Sequence, residues 1–360
     1  MKIVTAMSGG VDSSVAAALL KEDGYDVIGA TMQLWPPSGG EQKGNGSRSC
    51  CSSSAIEDAI IVAHTLDIPH YVLNLREVFT RKVIVDFCRE YSLGRTPNPC
   101  IRCNQYIKFG ALLERAREMG ADFIATGHHA RIEEDKATGN RLLKKGVDAR
   151  KDQSYFLYSL TREQLSHALF PIGNLTKDEV RNIASKKGLP VADRLESQEI
   201  CFITDDNYAE FLKDYIPAAA KPGPIIDERG KTLGEHRGII SYTIGQRKGL
   251  GIAAARPLYV TAINPERNAV VVGTKEQTYS RELVATDLNW IGMDRPERAI
   301  SVKARVRYRH PEAEAVVTPL DDDIVYVKFI EPQMAVTPGQ AVVFYDGDTV
   351  VGGGIINSRK

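Results

Sequence analysis

The opening segment constrains this chain most. Lys2-Ile3-Val4-Thr5-Ala6-Met7 is a short apolar run, Ser8-Gly9-Gly10 follows, and Val11, Val15, Ala18 and Leu19 then recur at helical spacing. The pattern is a strand, a glycine turn and a helix in direct succession. Glycines at such a turn let backbone N–H groups approach phosphate oxygens without a Cβ in the way. Ser8, Ser13 and Ser14 add hydroxyl donors, and a helix starting near Val11 directs its positive end at the same place. Asp12 has two readings, a ligand for Mg²⁺ or a brace for the loop. The turn is neither a G-x-x-x-x-G-K-[S/T] loop, which supplies a lysine to a γ-phosphate, nor a G-x-G-x-x-G dinucleotide fingerprint.

The alternation continues downstream. Residues 25–32 read as a strand, and Ile56, Ala59, Ile60 and Ala63 as a helix with Ser52, Ser53 and Ser54 as cap candidates. Residues 70–73 read as a strand, 84–91 as a helix, 104–119 as an amphipathic helix and 122–126 as a strand. Such βαβα text argues for a parallel sheet with helices on both faces. Residues 36–49, rich in Gly, Pro and Ser, read as a loop. Beyond residue 202 the text changes: a short helix at 207–215, a break at Pro222-Gly223-Pro224, and strand-like runs at 238–243, 258–263 and 269–272. Short β-branched runs at 302–308, 315–317, 325–329, 341–344 and 349–355 then suggest a small antiparallel barrel. A chain of 360 residues suits two or three domains. The expected division is an α/β parallel-sheet domain at 1–205, a small mainly-β linking domain at 206–280 and a C-terminal antiparallel β-barrel at 281–360.

Lysine plus arginine, and aspartate plus glutamate, each number 46, so the net charge of zero argues against a protein that coats nucleic acid nonspecifically. A local basic patch remains compatible: Lys303, Arg305, Arg307 and Arg309 alternate with Val302, Ala304, Val306 and Tyr308, which on a strand places four cations on one face. The competing reading is a solvated barrel face balanced by Glu312 and Glu314. Arg247 and Lys248, in a glycine-flanked turn, are further candidates for phosphate contact. No apolar run reaches the ~20 residues of a membrane span, and the first residues lack a signal-peptide core, so a cytoplasmic protein is expected.

The six cysteines are not a disulfide scaffold in a chain of this length. Cys100 and Cys103 form C-x-x-C after two prolines, Cys201 lies in Ser197-Gln198-Glu199-Ile200-Cys201-Phe202-Ile203, Cys88 falls in an apolar helical pattern and reads as core, and Cys50 and Cys51 have no assigned role. A helix starting near Asn104 places Cys103 at its N-terminus with Arg102 and Lys108 close in sequence, and both features favour a thiolate. Three readings stand: Cys103 and Cys201 handle a persulfide, Cys100, Cys103 and Cys201 hold an iron–sulfur cluster with one iron left open, or C-x-x-C belongs to a structural zinc site, for which no fourth ligand is evident.

The run S-G-G-x-D-S-S at Ser8–Ser14 resembles the PP-loop of the ATP pyrophosphatase superfamily. Further motifs make the chain resemble, over nearly its whole length, the bacterial tRNA-specific 2-thiouridylases: residues 94–108, A-T-G-H-H-A-R at 125–131, K-D-Q-S-Y-F-L at 151–157, S-Q-E-I-C-F-I at 197–203, G-Q-R-K-G-L-G-I at 245–252, and Arg307-Tyr308. The resemblance implies ATP-dependent 2-thiolation of the wobble uridine of tRNA, with ATP and Mg²⁺ used, tRNA as substrate, and a cysteine desulfurase or sulfur-relay protein as donor. It implies Cys103 as nucleophile and Cys201 as persulfide carrier, the two able to close a disulfide. It places Ala6, Met7, Ser8, Gly9, Gly10, Val11, Asp12, Ser13, Met32 and Gly127 at ATP. Asn98, Pro99, Cys100, His128, Lys151, Asp152, Gln153, Arg307, Tyr308 and Gln340 fall at tRNA. Cys100 departs from the family's N-P-D-x-x-C, exchanging an acid for a thiol, which keeps the cluster reading open; His129 stands where Tyr is common. Competing functions are a PP-loop amidotransferase or ligase, for which no glutaminase segment is evident, and a non-catalytic RNA- or metal-binding module, which leaves the glycine loop unexplained.

Overall fold

The computed structural model describes residues 1–35, 53–136, 138–192, 194, 200–203 and 207–360. Cys50, Cys51, Ser52, the loop expected at 36–49 and residues 197–199 lie outside the described residues. The chain forms two compact units: Met1–Val83 with Cys100–Asp206 and Asp348–Val351, and Ile84–Pro99 with Asn207–Gly347 and Gly352–Lys360.

The first unit is built on a five-stranded parallel sheet. Its chain order runs β1 (Lys2–Ala6), α1 (Val11–Glu22), β2 (Asp26–Gln33), α2 (Ser53–Thr65), β3 (His70–Asn74), α3 (Arg76–Phe79), β4 (Phe123–Ala125), β5 (Ala130–Glu134), β6 (Arg141–Lys145) and β7 (Ala168–Leu169). The sheet order is β3-β2-β1-β4-β7, with Val4 opposite Ile28 on one side and Ile124 on the other. Ile3, Val4, Ala6, Val27, Ile28, Ala30, Ile124 and Ala125 are buried, as expected of central strands covered on both faces. Val15, Ala16 and Ala17 of α1 pack with Val62 of α2 and with Val180 and Ala184, and the alanines let these elements approach closely. The chain builds outward from β1 through β2 to β3, then returns to add β4 and β7 on the other side. The strand order therefore reverses between β1 and β4, and a crevice opens at their carboxyl ends, where ligands bind in such sheets.

Strand ends differ from the expected limits by a residue or two. The larger correction concerns the cysteine helix. It begins at Pro99 rather than near Asn104: Pro99–Arg102 is α-helical, Cys103–Ala111 is π-helical and Leu112–Glu118 is α-helical again. Proline is tolerated at a first helical position, where its missing N–H has no partner to lose, so Pro99 starts the helix instead of preceding it. The β5–β6 hairpin pairs Ile132 with Leu143, and Lys144 of β6 also pairs with Thr349. Its charged text carried no strand signal.

In the second unit, helices Val85–Ser92 and Tyr208–Tyr215 meet through Phe87–Phe211 and Tyr91–Tyr208, with ring centroids 6.4 and 5.4 Å apart. Cys88 is buried as expected, and burial pushes its thiol up to about 11. Gly223–Ile226, Thr232–His236, Tyr259–Asn264 and Ala269–Gly273 form a four-stranded sheet. The strand expected at 238–243 is instead a 3₁₀ turn, Ile239–Ser241, entered through Gly238 at φ 110°, where a Cβ would lie 2.6 Å from the Ala220 backbone.

The antiparallel barrel comprises Tyr279–Asn289, Ile300–Arg305, Ala313–Asp321, Ile324–Met334, Ala341–Asp346 and Thr349–Arg359. Tyr279–Asn289 pairs with both Ile324–Met334 and Thr349–Arg359, which closes the ring. The four-cation face does not form. The Ile300–Arg305 ladder ends at Ala304 opposite Ala313, and Val306 to His310 turn, with His310 N–H donating to the Arg307 carbonyl at 3.0 Å. Pro311 has no N–H to extend the pairing. Arg305 pairs with Glu312 at 2.8 Å and lies 5.2 Å from the Tyr345 ring centroid. Phe344 is fully buried and stacks on Trp290 with centroids 5.7 Å apart. Phe344→Ala is expected to cost about 3–5 kcal/mol, read as a fall in the urea unfolding midpoint of the barrel at unchanged slope.

Candidate active site at the carboxyl ends of the parallel strands

The Ser8-Gly9-Gly10 turn sits at the strand-order reversal. Gly9 has φ +68°, and a Cβ there would lie 2.2 Å from the Ala55 carbonyl oxygen, so only glycine fits. The Ser13 hydroxyl accepts from Ser8 N–H at 3.2 Å and donates to Gly10 O at 3.1 Å, while Ser14 Oγ donates to the same carbonyl at 2.9 Å. Gly10 caps α1 without a side-chain hydrogen bond, so the first N–H groups of α1 face the crevice. That is a ready anion cradle. Gly127, just after β4, abuts it from the other side: a Cβ would lie 2.5 Å from Ser13 N. Ala6, Met7, Val11 and Ser13 are buried in the walls, and Met32 lies half-buried at the carboxyl end of β2, two residues past the last β1 pairing and opposite Leu73 of β3. Arg194, on the segment leading to Cys201, donates to the Gly9 carbonyl at 2.9 Å and pairs with Asp58 of α2.

Asp12 braces the loop. Its two oxygens accept from the Lys177 ammonium at 2.7 and 2.8 Å, and His129 Nε2 lies 3.4 Å from Oδ1. Burial pushes the Asp12 carboxyl up, but the hydrogen bond from His129 and the charge and hydrogen bond of Lys177 outweigh it, leaving the group below its ordinary value. Lys177 was invisible as a site residue in the sequence. Its only local signal is Thr176-Lys177-Asp178-Glu179, a capping box that marks a helix start and says nothing of a partner 165 residues away. Mg²⁺ commonly takes one or two carboxylates together with substrate phosphates. Asp12 is the acid of this loop, and Lys177 holds both its oxygens.

Cys103 does not sit at a helix N-terminus. It is 8% exposed and opens the π-helical stretch one turn into the helix, so the dipole argument for its thiolate lapses. Cys201 is half-buried. The two cysteine segments pack on one element: α3 lies against Cys103–Ala111, and Phe202, next to Cys201, meets Phe79 of α3 edge-on at 5.7 Å. Lys82, three residues beyond Phe79, stands 5.0 Å from the Tyr106 ring centroid. Among the described residues no three His, Cys, Asp or Glu side chains gather closely enough to hold a metal ion, and Cys100 is exposed where Cys103 is buried. Among the described residues, neither the three-thiolate set nor a zinc site is therefore assembled.

The residues expected at tRNA divide sharply. Asp152 is 3% exposed and accepts from Gly146 N–H, Ser154 N–H and Ser154 Oγ, closing a turn. Gln153 accepts from His129 N–H at 2.9 Å and so holds the loop after β4. His128 is 7% exposed. In the second unit, Gln340 donates to the carbonyls of Thr96 and Pro97 at 2.7 and 3.4 Å, and Pro99 is buried. Asn98, Lys151, Arg307 and Tyr308 are half-buried, with Arg307 donating to Thr337 Oγ1 at 2.9 Å.

A parallel sheet with a glycine–serine anion cradle at its switch point defines a nucleotide-binding α/β enzyme of the HUP class. Residues 1–205 match the family model described as the tRNA methyl transferase HUP domain, 209–274 its PRC-barrel domain and 280–356 the aminomethyltransferase β-barrel domain. The chain belongs to the tRNA-specific 2-thiouridylase family. It is 56% identical over 358 residues to tRNA-specific 2-thiouridylase MnmA 1 of Caldanaerobacter subterraneus subsp. tengcongensis, covering 99% of this chain and 98% of that one. It is 55% identical to MnmA of Acetivibrio thermocellus and 56% identical to MnmA of Moorella thermoacetica, in each case over 355 residues, 99% of this chain and 99% of the relative.

Lys177→Met strands the Asp12 carboxylate and is expected to cost about 1–3 kcal/mol, less than a fully buried pair because Asp12 keeps some exposure. Asp12 is held below its ordinary 3.8, so its contribution is complete above that value and is lost as pH falls through the folded value. The gap between wild type and Lys177→Met in urea unfolding should therefore be full at neutral pH and close below about pH 4. A gap unchanged down to pH 3 excludes this ion pair as its cause.

Proposed function

We propose that this protein catalyses ATP-dependent 2-thiolation of the wobble uridine of tRNA. The carrying observation is the packing of the Cys103 and Cys201 segments on α3, in the same unit as the anion cradle. Full-length relatives named for thiolation support sulfur as the transferred group, although the matching domain models are named for methyl transfer. Domain limits of 1–205, 206–280 and 281–360 follow from the sequence pattern, and the cytoplasm is the compartment consistent with a tRNA substrate. Among the described residues no helix is long and apolar enough to cross a membrane.

The uridine C2 oxygen is a poor leaving group and needs activation. In this reading it attacks the α-phosphorus of ATP, the bond to the β-phosphate oxygen breaks, and pyrophosphate departs with the N3 proton lost to solvent. Ser8, Gly9, Gly10 and the first N–H groups of α1 hold the departing charge by preorganised donors. Mg²⁺ arriving with the nucleotide supplies charge neutralisation on the phosphates. Cys201 receives sulfur as a persulfide from a donor protein such as a cysteine desulfurase or relay protein. Cys103 thiolate then attacks the Cys201 sulfur, forming a Cys103–Cys201 disulfide. The outer sulfur leaves either as sulfide or directly to C2. The C2–O bond breaks, AMP leaves, and a cellular thiol reductant reopens the disulfide. The target base is turned out of its stack to reach the site. Asn98, Lys151, Arg307 and Tyr308, the half-buried members of the expected set, are proposed to face the tRNA.

Cys103→Ser and Cys201→Ser are each expected to abolish 2-thiouridine formation, read by nucleoside mass spectrometry, while tRNA affinity stays within about twofold, since a thiol-to-hydroxyl change removes a nucleophile without removing phosphate contacts. Full thiolation by either variant removes that cysteine from the mechanism.

A further inference from the structure

That mechanism gives Lys108 of the first unit no role. Lys108 lies on the π-helical stretch Cys103–Ala111, five residues after Cys103. A π-turn closes by an i→i+5 hydrogen bond, so Lys108 lies about one turn along this stretch from Cys103.

Lys108 is half-buried, and its ammonium lies 3.4 Å from His128 Nε2. His128 Nδ1 is 2.7 Å from Thr126 Oγ1. With Nε2 accepting from Lys108, Nδ1 carries the proton and donates to Thr126. The ring is wedged between Phe109 and Phe170, at 6.1 and 5.8 Å between centroids. Burial, then the nearby charges of Lys108 and His129, hold the imidazole well below its ordinary value, so it stays neutral. A neutral acceptor aims an ammonium without cancelling its charge. Lys177 differs, since Asp12 cancels it. Among the described residues no carboxylate pairs with Lys108. His128 directly follows Gly127, which abuts the first turn of α1. An uncancelled, half-buried cation on the helix of Cys103 is therefore held by the loop that abuts the phosphate cradle.

We propose that Lys108, aimed by His128, engages the α-phosphate of the uridine adenylate and speeds its departure as AMP; this rests on the thiolation reading above. In the adenylate that phosphate is a diester with one negative charge. When sulfur bonds to C2 and the C2–O electron pair leaves on the phosphate oxygen, the phosphate becomes a monoester approaching two negative charges. A fixed cation stabilises the second state more than the first, so its effect falls on sulfur transfer more than on adenylation. His128 is a positioning residue: at 7% exposure it acts through Lys108.

The test uses the full chain with ATP, Mg²⁺, a tRNA transcript with uridine at the wobble position, and excess inorganic sulfide as sulfur source. Three quantities are read: tRNA-dependent exchange of pyrophosphate into ATP, 2-thiouridine formation, and tRNA affinity. Lys108→Gln is expected to lower thiolation ~10²-fold while exchange and affinity stay within about threefold. Lys108→Arg, which keeps the charge, should recover at least about a tenth of wild-type thiolation. His128→Gln places an acceptor where Nε2 lies and should stay within about threefold of wild type, whereas His128→Met, of similar bulk but without that acceptor, should lose about tenfold. Wild-type thiolation by Lys108→Gln, or exchange falling in step with thiolation, overturns the proposal and leaves the function standing. If wild type itself forms no 2-thiouridine, the functional reading fails and takes the proposal with it. Should Lys108→Gln not fold, the His128→Gln and His128→Met pair decides: equal rates in both overturn the proposal.

Discussion

The close approach of two backbone segments governs the first unit. The turn after β4 touches the first turn of α1 so tightly that Gly127 has no room for a Cβ against Ser13 N. That contact brings the carboxyl ends of β1 and β4 together at the reversal of strand order, and it turns the uncapped N–H groups of α1 into one wall of a crevice. It also carries His128 and His129 into position, because they follow Gly127 without an intervening residue. Gln153 locks this loop by accepting from His129 N–H and donating its own backbone N–H to the His129 carbonyl. A larger residue at 127 would push the loop off the helix and spoil both the anion cradle and the histidine geometry.

Charge near the glycine turn is held in two ways. Lys177 pairs with Asp12 and Arg194 with Asp58. Lys177 is largely buried, where an unpaired charge would be costly. Lys108 is held by an imidazole that burial keeps neutral, so its field remains available. Paired charge braces the loop, and the charge of Lys108 is the one the proposal assigns to the departing phosphate.

What the sequence disclosed follows from the range of each interaction. The cradle was legible because strand, glycine turn and helix are contiguous, and the hydroxyls of Ser8 and Ser13 act within five residues. The barrel strands were legible from short β-branched runs, although their ends were set by pairing partners, as at Ala304 opposite Ala313. The Lys177–Asp12 pair spans 165 residues and left no local trace. The π-helical stretch was equally hidden: residues 104–119 scan as an ordinary amphipathic helix, and nothing in that periodicity marks the i→i+5 pairing of Cys103–Ala111. Placing Cys103 at a helix start was an error of this kind, since the Pro99-Cys100 text permits a helix to begin earlier than the periodicity suggests.

Some polar residues expected to meet RNA also hold the chain locally. Asp152 accepts from Gly146 and Ser154, Gln153 Oε1 accepts from His129 N–H, and Gln340 Nε2 donates to the Thr96 carbonyl, so each holds a turn or loop within its own unit. Pulling such a group onto a new partner would leave those backbone groups unsatisfied, a penalty that offsets the new hydrogen bond. Such residues shape the surface that a substrate meets. Lys151, Arg307 and Tyr308 keep partial exposure, and Arg307 has one guanidinium nitrogen fixed on Thr337 Oγ1. A guanidinium presents its N–H donors in a planar fork, the geometry that suits a phosphate. Residues that the sequence presents as single motif blocks thus differ in how far the fold already engages them.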